Sequence, residues 1–246
     1  GREIYTRAPI AGDFIAGDLN VGNMFDGIAF EGSFEGNGHV ISNLTVDGAD
    51  YCGLFGLIGN TNAFITPNVS VKNIGLENAS ITSAGTYIGG LAGFNGSGSI
   101  VNCHSTGVVV GGDNAGGLVG GSYYGSSIID SYSVCIVTGE NNIGGLAASN
   151  NGSFVNNYSL GKVTGKGRVG GLVGSNGGSI VNCYSTGDVN CLGQEAGGIA
   201  GANYCSIASV YSAGDVVAGG CYVGGIVGWN EGSVMLSYSR GAVTGN

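Results

Sequence analysis

The chain is poor in several things at once. Of 246 residues only 2 are proline and 1 is tryptophan, two are histidine, and 9% are charged. Gly is abundant at 53, but without proline and a strict three-residue period it does not describe a collagen-like rod. No apolar run approaches the roughly 18 residues of a spanning helix, so membrane insertion is not expected. No secretory leader is visible, although Gly1 is compatible with an upstream segment having been removed. Basic residues number 7 against 16 acidic, a formal net charge of −9, which argues against a nucleic-acid or anionic-membrane surface. Cys-x-x-Cys does not occur, which removes the simplest zinc signature, and no cofactor is expected. Leu and Ala never recur at helical spacing over three turns, so almost no helix is expected.

What is present is a repeat. The hydrophobic fraction is 43%, too high for a disordered Gly-rich linker. Gly-Gly pairs begin at 89, 116, 144, 170, 197 and 224, spaced 26–28 residues apart. Leu91, Leu118, Leu146, Leu172, Ile199 and Ile226 follow them, and Asn95, Asn150, Asn176, Asn203 and Asn230 come next, with Ser122 in the one gap. An apolar residue opens each Ile-x-Asn phrase at Ile41, Val71, Ile100, Ile128, Phe154, Ile180, Ile207 and Val234. His104 leads a column of Tyr132, Tyr158, Tyr184, Tyr211 and Tyr238, and a valine closes each repeat.

A period of 26–28 residues holds about three short strands with Gly, Asn and Ser turns. A propeller blade needs about 40–45 residues, and the leucine-rich phrase is missing. A single-stranded parallel β-helix of about eight turns fits, roughly 38 Å long at about 4.8 Å per turn. In such a coil each residue stacks on its equivalent one turn away, so a continuous core requires like on like. Residues 1–26 lack the period and are expected to form an N-terminal cap; residues 27–246 form one repeat domain. The chain closes at "GAVTGN" with no cap, which suggests truncation or end-to-end contact.

The phrases "GGLVGSNGGSIVNCYSTGDV" (170–189), "GGLAGFNGSGSIVNCHSTGVV" (89–109) and "GGIVGWNEGSVMLSYSRGAV" (224–243) resemble the GLUG-motif repeat, and "FEGSFEGNGHVISNLTVDGADYCGLFG" (30–56) resembles the lead-in that precedes such repeats. The resemblance implies a right-handed coil and a bacterial secreted or cell-surface protein, of the kind found in adhesins and beside the catalytic domain of immunoglobulin A peptidases. No catalytic residue of those proteins maps onto the repeats. Further domains of the same full-length chain are implied. Departures are local: "SYYGSS" (122–127) is lengthened, and "GLAASN" (145–150) loses a Gly.

Candidate site residues are few. Tyr123 and Tyr124 in the lengthened loop, together with Trp229, are the binding candidates, because exposed rings stack on sugars; the competing reading of the regular aromatics is packing. The sequence leaves open whether Cys183 or Tyr184 faces inward. Asp188 and Asp215 share a column and should stand about 5 Å apart on the outside. That spacing suits a retaining glycosidase or a shared Ca²⁺, or simply a solvated face beside Lys162. His104 reads as a ring in the Tyr stack and His39 as a turn residue. Seven cysteines leave at least one unpaired; Cys103 and Cys183 share a column but lie too far apart to bond, and only Cys191 and Cys221 are placed to approach. The expectation is a non-catalytic adhesin or spacer whose partner is a host glycan, protein or other polymer. The alternatives are an accessory repeat domain of an immunoglobulin A-type peptidase or a polysaccharide-acting β-helix enzyme.

Overall fold

The computed structural model describes residues 4–11, 25, 27–60, 68–220 and 222–245. Its regular elements are all β-strands, paired in parallel from turn to turn. The chain winds into a parallel β-solenoid with three faces, and one turn shows the plan. Val169–Gly170 lies on the first face and Val173–Asn176 on the second. Ser179–Val181, Tyr184–Ser185 and Val189–Cys191 follow one another along the third. The first face gathers six strands and the second seven, so six turns carry all three faces.

That is fewer than the eight expected, because the phrase count measures only the third face. There the column runs Phe34, Val71, Ile100, Ile128, Phe154, Ile180, Ile207, Val234. Ile41 is not its first member; it pairs with Leu76, and Phe34 opens the column. The strand Ser33–Ser42 shifts register between Glu35 and His39, where Asn37 (φ 52°) and Gly38 (φ 75°) turn left-handed. That local detour hides the true step of 37 residues. His39 follows the detour as a strand residue. Of the expected cap, Tyr5 and Ile10 make single bridges to Val46 and Phe55, while residues 1–3, 12–24 and 26 lie outside the described residues.

The core is a set of columns. Leu91, Leu118, Leu146, Leu172 and Ile199 are fully buried, as are Ile100, Ile128, Ile180 and Ile207 of the third face and Val109, Val137 and Val163. Each such side chain contributes roughly 1.5–3 kcal/mol on burial. The glycine pairs follow from close approach. A Cβ on Gly171 would strike the Gly198 carbonyl oxygen and the Ser185 hydroxyl, and one on Gly170 would strike the Val173 carbonyl. Backbones therefore meet where any side chain would hold them apart.

Two asparagine columns close the corners. Asn102, Asn156 and Asn182 adopt φ of 51–56°, a left-handed conformation that asparagine tolerates better than most residues. This explains the Ile-x-Asn phrase, and it also resets the in–out alternation. Ile180 points in, Asn182 turns the chain, and Cys183 points in again while Tyr184 lies half-buried outside. In the second column, Asn150 Nδ2 donates to Asn176 Oδ1 (2.9 Å), Asn176 to Asn203 (2.7 Å) and Asn203 to Asn230 (2.7 Å). Asn176 also exchanges bonds with the Gly178 backbone, so a buried amide is satisfied inside the corner.

Candidate functional site

The lengthened corner at Ser122 interrupts the asparagine ladder. Ser122 Oγ shares a 2.6 Å hydrogen bond with Ser126 Oγ instead of passing an amide to the next turn. The step from Ser122 to Ser127 is five residues where the next turn takes three, Asn150 to Ser153, and the two extra residues are absorbed in a turn, with Gly125 at φ 83° and Ser126 N donating to the Tyr123 carbonyl. The turn pushes Tyr124 outward, 55% exposed, with its ring edge-on to Tyr123 at 5.2 Å. Tyr123 leans on Phe94 (6.4 Å), which packs against Tyr87 (4.8 Å). Burial raises the Tyr87 phenol above its ordinary pKa. The exposed ring is thus the tip of an anchored aromatic cluster. Beside the turn, Ser70, Lys72, Ser97, Ser99, Gly125 and Ser127 line a surface groove of about 630 Å³. An exposed ring next to a row of hydroxyls and one cation can stack on an apolar face while hydrogen-bonding its edges.

Trp229 stands elsewhere. It lies in the last described turn, half-buried, edge-on to Tyr222 at 4.7 Å, and its Nε1–H donates to Glu231 Oε1 (3.1 Å). The structure therefore does not gather Tyr123, Tyr124 and Trp229 into one site; Phe94 and Trp229 occupy the same column five steps apart, about 24 Å at one strand spacing per step.

Asp188 and Asp215 are exposed and aligned, as their column predicts, but their carboxylates are engaged. Asp188 Oδ1 accepts the Asp215 backbone N–H (3.1 Å) and Asp215 Oδ1 accepts that of Ala242 (2.8 Å). They act as a ladder of side-chain caps from turn to turn. Among the described residues no three His, Cys, Asp or Glu side chains gather as a metal group would require.

The tyrosine column is a surface stack, not core. From His104 through Tyr132, Tyr158, Tyr184 and Tyr211 the ring centroids are 4.7–4.9 Å apart and within 6° of parallel. The rings cover each other's faces, so the column offers edges and hydroxyls. Burial lowers the His104 pKa, with Glu77 opposing, and raises those of Tyr158 and Tyr184. Behind the rings, the buried hydroxyls of Ser159, Ser185 and Ser212 have no hydrogen-bond partner, filling the space the glycine pairs leave.

Cys103 and Cys183 are buried thiols pushed up to about 11 by desolvation, and neither forms a disulfide. Cys191 is buried, with its thiol donating to the Gly167 carbonyl (3.0 Å), and Cys221 lies outside the described residues. Column arithmetic alone could have exposed one further feature: Glu140–Lys166 and Arg168–Glu195 lie 26 and 27 residues apart and form ion pairs across turns.

Residues 84–110 and 165–190 match the sequence profile of the GLUG motif. The chain carries GLUG motif repeats. The matched GLUG segments contain the glycine pairs at 89 and 170, the buried leucines after them, and the left-handed Asn102 and Asn182. Over 97 residues the chain is 41% identical to halomucin of Haloquadratum walsbyi (strain DSM 16790 / HBSQ001), a stretch that is 39% of this chain and 1% of halomucin. The chain therefore spans a very small part of that relative's length. Among solved structures it resembles a "putative immunoglobulin A1 protease" from Bacteroides ovatus, with a TM-score of 0.62 and 22% identity over 91% of this chain and 74% of that one. At that identity the likeness is one of fold.

Proposed function

We propose that this chain is a non-catalytic repeat module of a secreted or cell-surface protein, which spaces neighbouring domains and adheres to a polymeric ligand through the Tyr123–Tyr124 loop. The observation that carries the adhesive part is the exposed Tyr124 ring, backed by Tyr123 and Phe94 and set beside the hydroxyl-lined groove. The spacing part draws on the amide ladder from Asn150 to Asn230 and on the ring stack, which tie successive turns together. The similarity to halomucin, a mucin by its name, supports a place outside the cell. The shared fold with the Bacteroides ovatus protein supports a second reading, an accessory domain beside a peptidase, which is compatible with the first. The carboxylates of Asp188 and Asp215 are committed to backbone N–H groups, which weighs against a glycosidase pair.

The test is binding to immobilised mucin by the wild type, Tyr123→Ala/Tyr124→Ala and Asp188→Ala/Asp215→Ala, with and without chelator. The proposal expects the tyrosine pair to lose binding and the aspartate pair to keep it. Loss confined to the aspartate pair and sensitive to chelator would replace the aromatic loop with a cation-dependent face.

A further inference from the structure

The connections from the third face back to the first leave a recess of about 380 Å³ on three successive turns, remote in sequence from the Tyr123–Tyr124 loop. Its wall presents three amides, Asn141, Asn142 and Gln194, and two cations, Lys166 and Arg168. Both cations already have partners. Lys166 Nζ hydrogen-bonds Glu140 Oε1 at 2.7 Å, and Arg168 Nε meets Glu195 Oε2 at 2.7 Å. Two of the amides are held by the turn below: Asn142 Nδ2 donates to Asn114 Oδ1 (3.2 Å) and Asn141 Nδ2 to Asp113 Oδ1 (3.0 Å). The Arg168 guanidinium carbon also lies 5.9 Å from the ring of Tyr204, which follows the second-face strand Ala200–Asn203 and is 41% exposed.

This combination selects a ligand class. A bound anion would meet Glu140 and Glu195 in a chain of net charge −9, with neither cation left unpaired. An apolar ligand would cover amides and ion pairs and strip their water without replacing its hydrogen bonds. A polyhydroxylated, uncharged molecule has donors for the carboxylates, acceptors for the amides and guanidinium, and a C–H face for the tyrosine. Asn141, Asn142, Lys166 and Arg168 are already held by the hydrogen bonds and ion pairs between turns, so little ordering of these groups is needed on binding. We infer that this recess, edged by Tyr204, is a second binding site, for a neutral oligosaccharide. It goes beyond the adhesive loop and stands on different residues.

The experiment is a glycan array bearing neutral, sialylated and sulfated oligosaccharides, probed with the wild type, Arg168→Gln, Tyr204→Ala and Tyr123→Ala/Tyr124→Ala, each checked for native circular dichroism and melting. The inference expects neutral spots whose binding falls about tenfold or more in both Arg168→Gln and Tyr204→Ala, as for a central contact residue, and survives in the loop variant. It is overturned if no neutral glycan binds, if only acidic glycans bind, or if neutral binding is unchanged in both recess variants. Mucin binding lost only in the loop variant, with no recess-dependent spot, would leave the adhesive reading standing and remove this one.

Discussion

From Glu140 to Thr244 the solenoid is regular: turns of 26 or 27 residues, an asparagine ladder from Asn150 to Asn230, and rings in parallel register. From Ser33 to Thr138 it is not. Two strands of 10 and 14 residues shift register, and the asparagine ladder stops at Ser122. The corner after Ser122 also carries the two extra residues that lift Tyr124 into solvent. The regular half shows what stacking demands of a sequence; the irregular half shows where the demand is relaxed and a side chain is freed for other use. Function is proposed in the departures, or where, as at Arg168 and Glu195, a column changes residue type without losing register.

Glycine-to-alanine substitutions in the two halves should separate them most strongly. Gly171→Ala places a methyl against the Gly198 carbonyl and Ser185, where the backbone cannot yield, and should cost about 3 kcal/mol or more in urea unfolding. Gly125→Ala in the aromatic turn has open space around it and strains only its φ of 83°, so about 1 kcal/mol is expected. Equal costs would mean that the turn is as tightly built as the ladder.

Next in size is the ladder itself. Asn176→Ala leaves the buried amides of Asn150 and Asn203 each short of a partner and should cost about 3 kcal/mol, against about 1 kcal/mol for Ser122→Ala, which removes one hydroxyl bond. Thermal melts of the two variants side by side decide this.

The ring stack differs between the halves in its first member. His104 has a lowered pKa in the fold, chiefly through burial, so the unfolded chain binds its proton more readily. The associated stability is present above the ordinary imidazole value near 6.5 and is lost as pH falls through the lowered one. His104→Tyr, which continues the stack, should flatten the acid side of the stability–pH curve. At the alkaline end Tyr158 and Tyr184 have raised pKa values, so their contribution is full below the ordinary phenol range and is lost above it. An unchanged acid limb in His104→Tyr would remove His104 from the account.

The smallest effect is chemical. Iodoacetamide on the native protein near pH 8 should modify exposed Cys205 well before Cys103 and Cys183, whose thiols are buried and held to about 11. Peptide mapping of the time course checks it; early labelling of Cys183 would show that the regular half opens readily.

Much of this was legible in the residues. The Gly-Gly, leucine and asparagine columns need only counting, because a column must repeat to stack. Three things were not. Phrase counting puts the first rung at Ile41 rather than Phe34, because a left-handed Asn37–Gly38 detour adds residues without adding a rung. The face of Tyr184 does not follow from alternation, because the left-handed Asn182 resets it between the short strands Ser179–Val181 and Tyr184–Ser185. The engagement of Asp188 and Asp215 was hidden because their partners are backbone N–H groups, which no side-chain pattern records. In the site region, Tyr123 and Tyr124 stood out as an insertion, while their support by Phe94 and Tyr87 depends on which columns lie side by side.

The most direct measurement is mucin binding and melting temperature taken together on the wild type, Tyr123→Ala/Tyr124→Ala and Asn176→Ala, at a temperature where all three are folded. If departures bind and columns support, the tyrosine variant loses affinity about tenfold or more with its melting point nearly unchanged, and Asn176→Ala melts lower but binds as the wild type does. A tyrosine variant that binds normally would contradict the account.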